Sequence, residues 1–209
     1  MKPKPLLRGH FHQAMFFVAL GACLPLIAKC DTTLERLAAT IYTIGALTLF
    51  GVSSLYHRVT WDVRGRALWK KFDHCAIYIM IAGTFTPFAL LKLPPESGPK
   101  LMLIIWGITL VGVIQSIFFV NLPKMVSAFI YMGAGYSILP YLGDLKLAIG
   151  TTNYWLILSG GFAYSIGAIF YGLKKPVLNP EIFSYHEVFH LFVNLGAILH
   201  FIAVNSIIR

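Results

Sequence analysis

The chain has 209 residues, of which 57% are hydrophobic and only 12% charged, well below the roughly 25% charge of soluble domains, so lipid rather than water is its main solvent. A net charge of +9 could suit nucleic acid, but the basic residues sit in short segments beside apolar runs, where the positive-inside rule accounts for them. Lipid offers backbone groups no hydrogen-bond partner, so apolar runs of about 20 residues predict membrane-spanning helices.

The predicted first span, His12 to Ala28, follows a basic flank and has the look of a signal peptide with Ala28 before a cleavage point. Its apolar stretch exceeds the usual h-region, which favours an uncleaved helix. The second span, Leu37 to His57, carries Ser53 and His57 at i and i+4, hence on one helical face. The third, Cys75 to Leu91, is preceded by Asp73 and His74; Asp73 is placed to cap it, and Pro87 with nearby Gly83 to kink it and shape lipid access. The fourth, fifth and sixth spans (Leu101 to Val120, Met125 to Leu142, Tyr154 to Leu173) hold only Gln115 and scattered Ser and Thr at mid-membrane, too little to line a channel. The seventh, His186 to Ile208, again pairs histidines at i and i+4, His186 and His190. Ser184 followed by Glu187 is a capping-box pattern that starts this helix at Ser184. The intervening loops are too short to fold separately, so residues 1–209 read as a single domain. Cys23, Cys30 and Cys75 have no metal-ligand spacing and are odd in number, which excludes a complete disulfide framework.

Orientation follows from the basic residues. Lys2, Lys4, Arg8, Arg58, Arg64, Arg66, Lys70, Lys71, Lys124, Lys174 and Lys175 fall on one side, and Lys29, Arg36, Lys92, Lys100, Lys146 and Arg209 on the other. This predicts an all-α, seven-transmembrane helix bundle with its N-terminus cytoplasmic and its C-terminus outside. A retinal protein is excluded because the last span has no lysine, and a G-protein-coupled receptor would place its N-terminus outside.

In this topology His57, Asp73, His186 and His190 come from three helices yet lie within about two turns of the cytoplasmic face. Three imidazoles with an open fourth position make a tetrahedral catalytic zinc site, whereas a closed structural site would want four protein ligands. His10, His12, His74 and His200 read as structural or interfacial, His200 being too deep to share the metal. The stretch from His186 to His190 also matches the H-E-x-x-H pattern of metalloproteases, with Glu187 as base. No acidic third ligand follows Glu187, so it reads instead as the helix cap.

At these residues the chain resembles the hemolysin III family, related to the adiponectin and progestin receptors and more distantly to alkaline ceramidases. The marks are Ser53-Ser54-Leu55-Tyr56-His57, then Phe72-Asp73-His74-Cys75-Ala76-Ile77-Tyr78 running into Ala82-Gly83-Thr84-Phe85-Thr86-Pro87-Phe88, and finally His186 and His190 with His200-Phe201 beyond. Pro5-Leu6-Leu7-Arg8-Gly9 and His12 are similar to the opening of bacterial members. The resemblance implies seven transmembrane helices in the inner membrane and a zinc ion held by His57, His186 and His190. Asp73 would hold the zinc-bound water, and Ser53 would match the family's serine one turn before its first histidine. The expected function is a zinc-dependent hydrolase of a lipid amide, ceramide-like, reached from the cytoplasmic leaflet and acting in membrane lipid homeostasis. Asp73 would take the proton and Ser53 would hydrogen-bond the oxyanion. The alternative is a non-enzymatic membrane sensor or a cytolytic factor with structural zinc. Membrane lipids are the expected partners.

Overall fold

Residues 5–208 are described in a computed structural model, and Lys2, Lys4 and Arg209 of the charge count lie outside them. The described residues form seven α-helices in order: α1 (His10–Ala28), α2 (Thr33–Arg58), α3 (Val63–Leu91), α4 (Gly98–Phe118), α5 (Lys124–Tyr136), α6 (Leu142–Leu173) and α7 (Tyr185–Ile207). A 3-10 turn, Leu139–Tyr141, joins α5 to α6. Among the described residues there is no strand, only an isolated bridge between Asn179 and Phe183. Among the described residues six stretches are long and apolar enough to cross a membrane, the run from Lys124 to Leu173 counting as one.

Local chemistry explains the helix ends. Thr32 and Glu35 form a capping box at α2, the Glu35 N–H donating to Thr32 Oγ1 at 3.1 Å and the Thr32 N–H to Glu35 Oε2 at 3.0 Å. Asp62 caps α3, accepting from the Gly65 N–H at 2.7 Å. The cap expected at Asp73 is therefore at Asp62, and α3 starts at Val63 rather than Cys75. Sequence hydropathy misses this early part because Arg64, Arg66, Lys70 and Lys71 make it polar although it is helical. The fifth and sixth elements also differ from expectation. α5 stops at Tyr136, and α6 begins at Leu142, well before Tyr154, with a break at Gly150 where φ is +76°. Glycine takes that φ without the Cβ clash other residues would meet, so a broken helix replaces the loop expected there.

The helices pack in sequential pairs, α1 on α2, α2 on α3, α3 on α4 and α6 on α7, while α7 also closes against α1 and α3. Its buried core includes Tyr42, Phe50, Phe88, Leu101, Ile105 and Val204. Phe17, Leu103, Leu110, Leu147 and Phe162 are strongly exposed, as expected of faces turned to lipid. Helices α2 and α3 approach closely: a Cβ at Gly45 would stand 3.2 Å from the Ile79 carbonyl oxygen and 3.5 Å from Gly83 Cα. Small residues on both faces let two backbones meet. That contact sets the distance between the helix bearing His57 and the helix bearing Asp73.

Candidate metal centre

His57 ends α2 and His186 and His190 begin α7, so the three imidazoles meet at one end of the bundle. One ligand atom from each lies within 4.8 Å of the others, and all three residues are buried. His57 Nε2 and His186 Nε2 are 3.1 Å apart. At zinc–nitrogen distances of about 2.0–2.1 Å, tetrahedral ligands stand about 3.3 Å from one another, so small side-chain rotations would close the set. Nδ1 of both His186 and His190 is buried with no hydrogen-bond partner among the described protein atoms. Three buried imidazoles that bring one nitrogen each together are a donor set that a zinc-sized cation suits.

Asp73 and Ser53 stand beside the histidines. Asp73 Oδ2 is 3.9 Å from His57 Nε2, and Ser53 is a hydrogen-bonding neighbour of the Asp73 carboxyl. Asp73 reaches this position from inside α3, not from its start. All five residues expected at the site thus come together. Ser53, Asp73, His186 and His190 also line a cavity of about 330 Å³ that runs between α3, α5, α6 and α7 to His200. Its walls are mainly apolar, including Ile77, Ile81, Phe85 and Val193.

Glu187 is fully buried and has both carboxylate oxygens engaged: Oε2 accepts the Ser184 N–H at 2.8 Å and Oε1 pairs with Arg8. The capping box starts α7 as expected and holds Glu187 as a cap. The remaining histidines divide. His200 Nε2 donates to the Ile157 carbonyl oxygen at 3.0 Å, His74 Nδ1 and the Tyr131 hydroxyl are 2.8 Å apart, and His10 pairs with Arg58. These keep to the structural or interfacial reading. His12 does not stand apart from the site: its ring lies flat on that of His190, centroids 3.7 Å apart and planes 8° from parallel. Arg8 and His12 are neighbours of the cluster that spacing could not reveal, because they are separated from α7 by almost the whole chain. The segment Pro5 to His12, similar to a family opening, was the one signal pointing there.

A family model described as Haemolysin-III related matches residues 1–201. The chain is 34% identical over 177 residues to the Hemolysin-3 homolog of Bacillus subtilis (strain 168), covering 85% of this chain and 80% of the relative. Hemolysin-3 of Bacillus cereus is 34% identical over 177 residues, with 85% and 78% covered. The monocyte to macrophage differentiation factor of Homo sapiens is 28% identical over 184 residues, with 83% and 71% covered. With the matching residues spanning nearly the whole chain and several apolar helices forming one bundle, this protein belongs to the haemolysin III family of multi-pass membrane proteins.

Proposed function

We propose that the chain is a zinc-dependent hydrolase of a lipid amide, resident in the inner membrane and acting in lipid homeostasis. The observation that carries this reading is the convergence of three buried histidines with Asp73 and Ser53 at an apolar cavity that Ser53, Asp73, His186 and His190 line. His57, His186 and His190 would hold the ion. When bound, zinc supplies Lewis-acid polarisation of a carbonyl and activation of water near neutral pH.

The protein's own groups divide the remaining work. The apolar cavity takes the acyl chain and keeps bulk water from the amide. Asp73 Oδ2 accepts the proton of the water whose oxygen bonds to the amide carbon, and returns it to the nitrogen as the C–N bond breaks. The Ser53 hydroxyl donates to the oxygen that becomes negative as that carbon turns tetrahedral. The products are a fatty acid and an amine. Seven crossings fit if α5, about 20 Å long, is extended by the Leu139–Tyr141 turn towards the roughly 30 Å of a bilayer core.

A second reading, lysis of target membranes, is favoured by the Hemolysin-3 name of the Bacillus cereus relative. One preparation separates the two. Purified protein should carry about one zinc per chain, lost in His57→Ala, His186→Ala and His190→Ala but kept in His200→Ala, and should release fatty acid from ceramide in vesicles without leakage of a trapped dye. Full zinc content in His57→Ala would refute the ligand set. Dye leakage with no amide cleavage would favour the lytic reading.

A further inference from the structure

The residues that precede α1 form a strap across the start of α7. Leu6 N–H donates to the Glu181 carbonyl oxygen at 2.7 Å and Leu7 N–H to that of Ile182 at 3.1 Å. Arg8 pairs with Glu187, and Asn194 Nδ2 donates to the Phe11 carbonyl oxygen at 3.1 Å. Between them Gly9 takes φ +83° and passes so close to α2 that a Cβ there would stand 2.7 Å from His57 Cβ. The first turn of α1 is therefore held against both helices that carry the candidate ligands.

His12 lies in that turn, only 2% exposed. One face of its ring covers His190, and its other contact is with Phe50, centroids 5.2 Å apart and planes 79° from parallel. Imidazole lone pairs lie in the ring plane. Two rings stacked 3.7 Å apart direct their lone pairs along parallel sheets, so His12 in this arrangement does not aim at a cation that His190 holds in its own plane. What the stack does is restrict rotation of His190. Histidine χ2 is broad and two-fold, and ligating imidazoles are usually oriented by a hydrogen bond from the second nitrogen. His190 Nδ1 has no such partner among the described residues. Of the rings around His190, those of His57, His186 and Phe189 are tilted at 56–61°, and His12 is the one that lies flat against it.

We infer that His12 is a positioning residue of the metal centre, fixing through its ring face the plane in which His190 presents its nitrogen, with the N-terminal strap as its mount. The inference rests on the metal-binding part of the proposal above. It predicts that planarity, rather than any nitrogen of His12, is what the site requires.

The test uses full-length wild type, His12→Phe, His12→Leu and His12→Ala in detergent, loaded with cobalt(II) as a spectroscopic substitute for zinc. Affinity by chelator competition, the visible cobalt spectrum and the melting temperature of the metal-free protein are read together. His12→Phe keeps a flat face and should retain wild-type spectrum and affinity. His12→Leu fills the space without a flat face, and it and His12→Ala should bind about 10-fold to 100-fold more weakly with an altered spectrum. Equal loss in His12→Phe and His12→Ala would make His12 a ligand and overturn the inference. Wild-type affinity in His12→Leu, with only the melting temperature lowered, would reduce it to a packing residue and overturn it as well. Absence of cobalt binding in wild type would instead overturn the metal reading itself, and the inference with it.

Discussion

Glu187 has one carboxylate oxygen on the Ser184 N–H and the other on Arg8, whereas Asp73 faces Ser53 from the cavity wall and stands 3.9 Å from His57 Nε2. Both acids neighbour histidines, but of the two only Asp73 lines the cavity. Asp73→Asn should therefore keep metal and fold while lowering amide hydrolysis by about a hundredfold to ten-thousandfold, the usual contribution of a general base. Since Asp62 caps α3, the substitution leaves the helix start untouched. Wild-type turnover in Asp73→Asn, measured beside zinc content and folded yield, would remove Asp73 from the mechanism. The H-E-x-x-H pattern shows the same point from the sequence side. It was readable as a base or a cap, and the choice rests on Arg8, which belongs to another part of the chain.

Helix α2 carries Ser53 and His57, and its approach to α3 is governed by Gly45 and Gly83. A Cβ at Gly83 would stand 3.2 Å from the Ile41 carbonyl oxygen and 3.4 Å from Gly45 Cα, so neither helix can yield alone. Gly45→Val should push α2 and α3 apart, costing about 1–3 kcal/mol as overpacking does, and should weaken metal binding by displacing His57. Gly107→Ala is the control: nothing lies within 4 Å of the Cβ it adds, and helix propensity favours alanine. Thermal melts and zinc titration of both variants check this, and an unchanged melt in Gly45→Val would show that the helices meet elsewhere. At this scale the sequence showed i, i+4 pairs and capping signatures clearly, because both depend on residues one turn apart. It did not show the early start of α3 or the break at Gly150, because charged side chains and a single glycine alter hydropathy without reporting backbone shape.

Across the whole molecule, the charge asymmetry and the bundle can be set against each other. The eleven-to-six split of basic residues predicts a cytoplasmic N-terminus, and seven crossings, if α5 and α6 each cross, would put the C-terminus outside. Reporter fusions at the two ends should therefore give opposite sides. Both ends on the same side would mean that α5, the 3-10 turn and α6 make a single crossing segment rather than two. The histidine cluster would survive that result, since it is built from α2 and α7, neither of which belongs to the disputed stretch.

Composition and apolar run length were sufficient to establish a membrane bundle, because in lipid the backbone must satisfy itself within each helix and local hydropathy then tracks the fold. Helical periodicity likewise paired Ser53 with His57 and His186 with His190. The arrangement of those pairs around Asp73, the cavity behind them and the partner of Glu187 depended on which helices touch. That is a property of packed surfaces. The stack of His12 on His190 is its sharpest case: 178 residues separate the two, no spacing rule connects them, and only the strap that seats α1 against α7 brings their rings together.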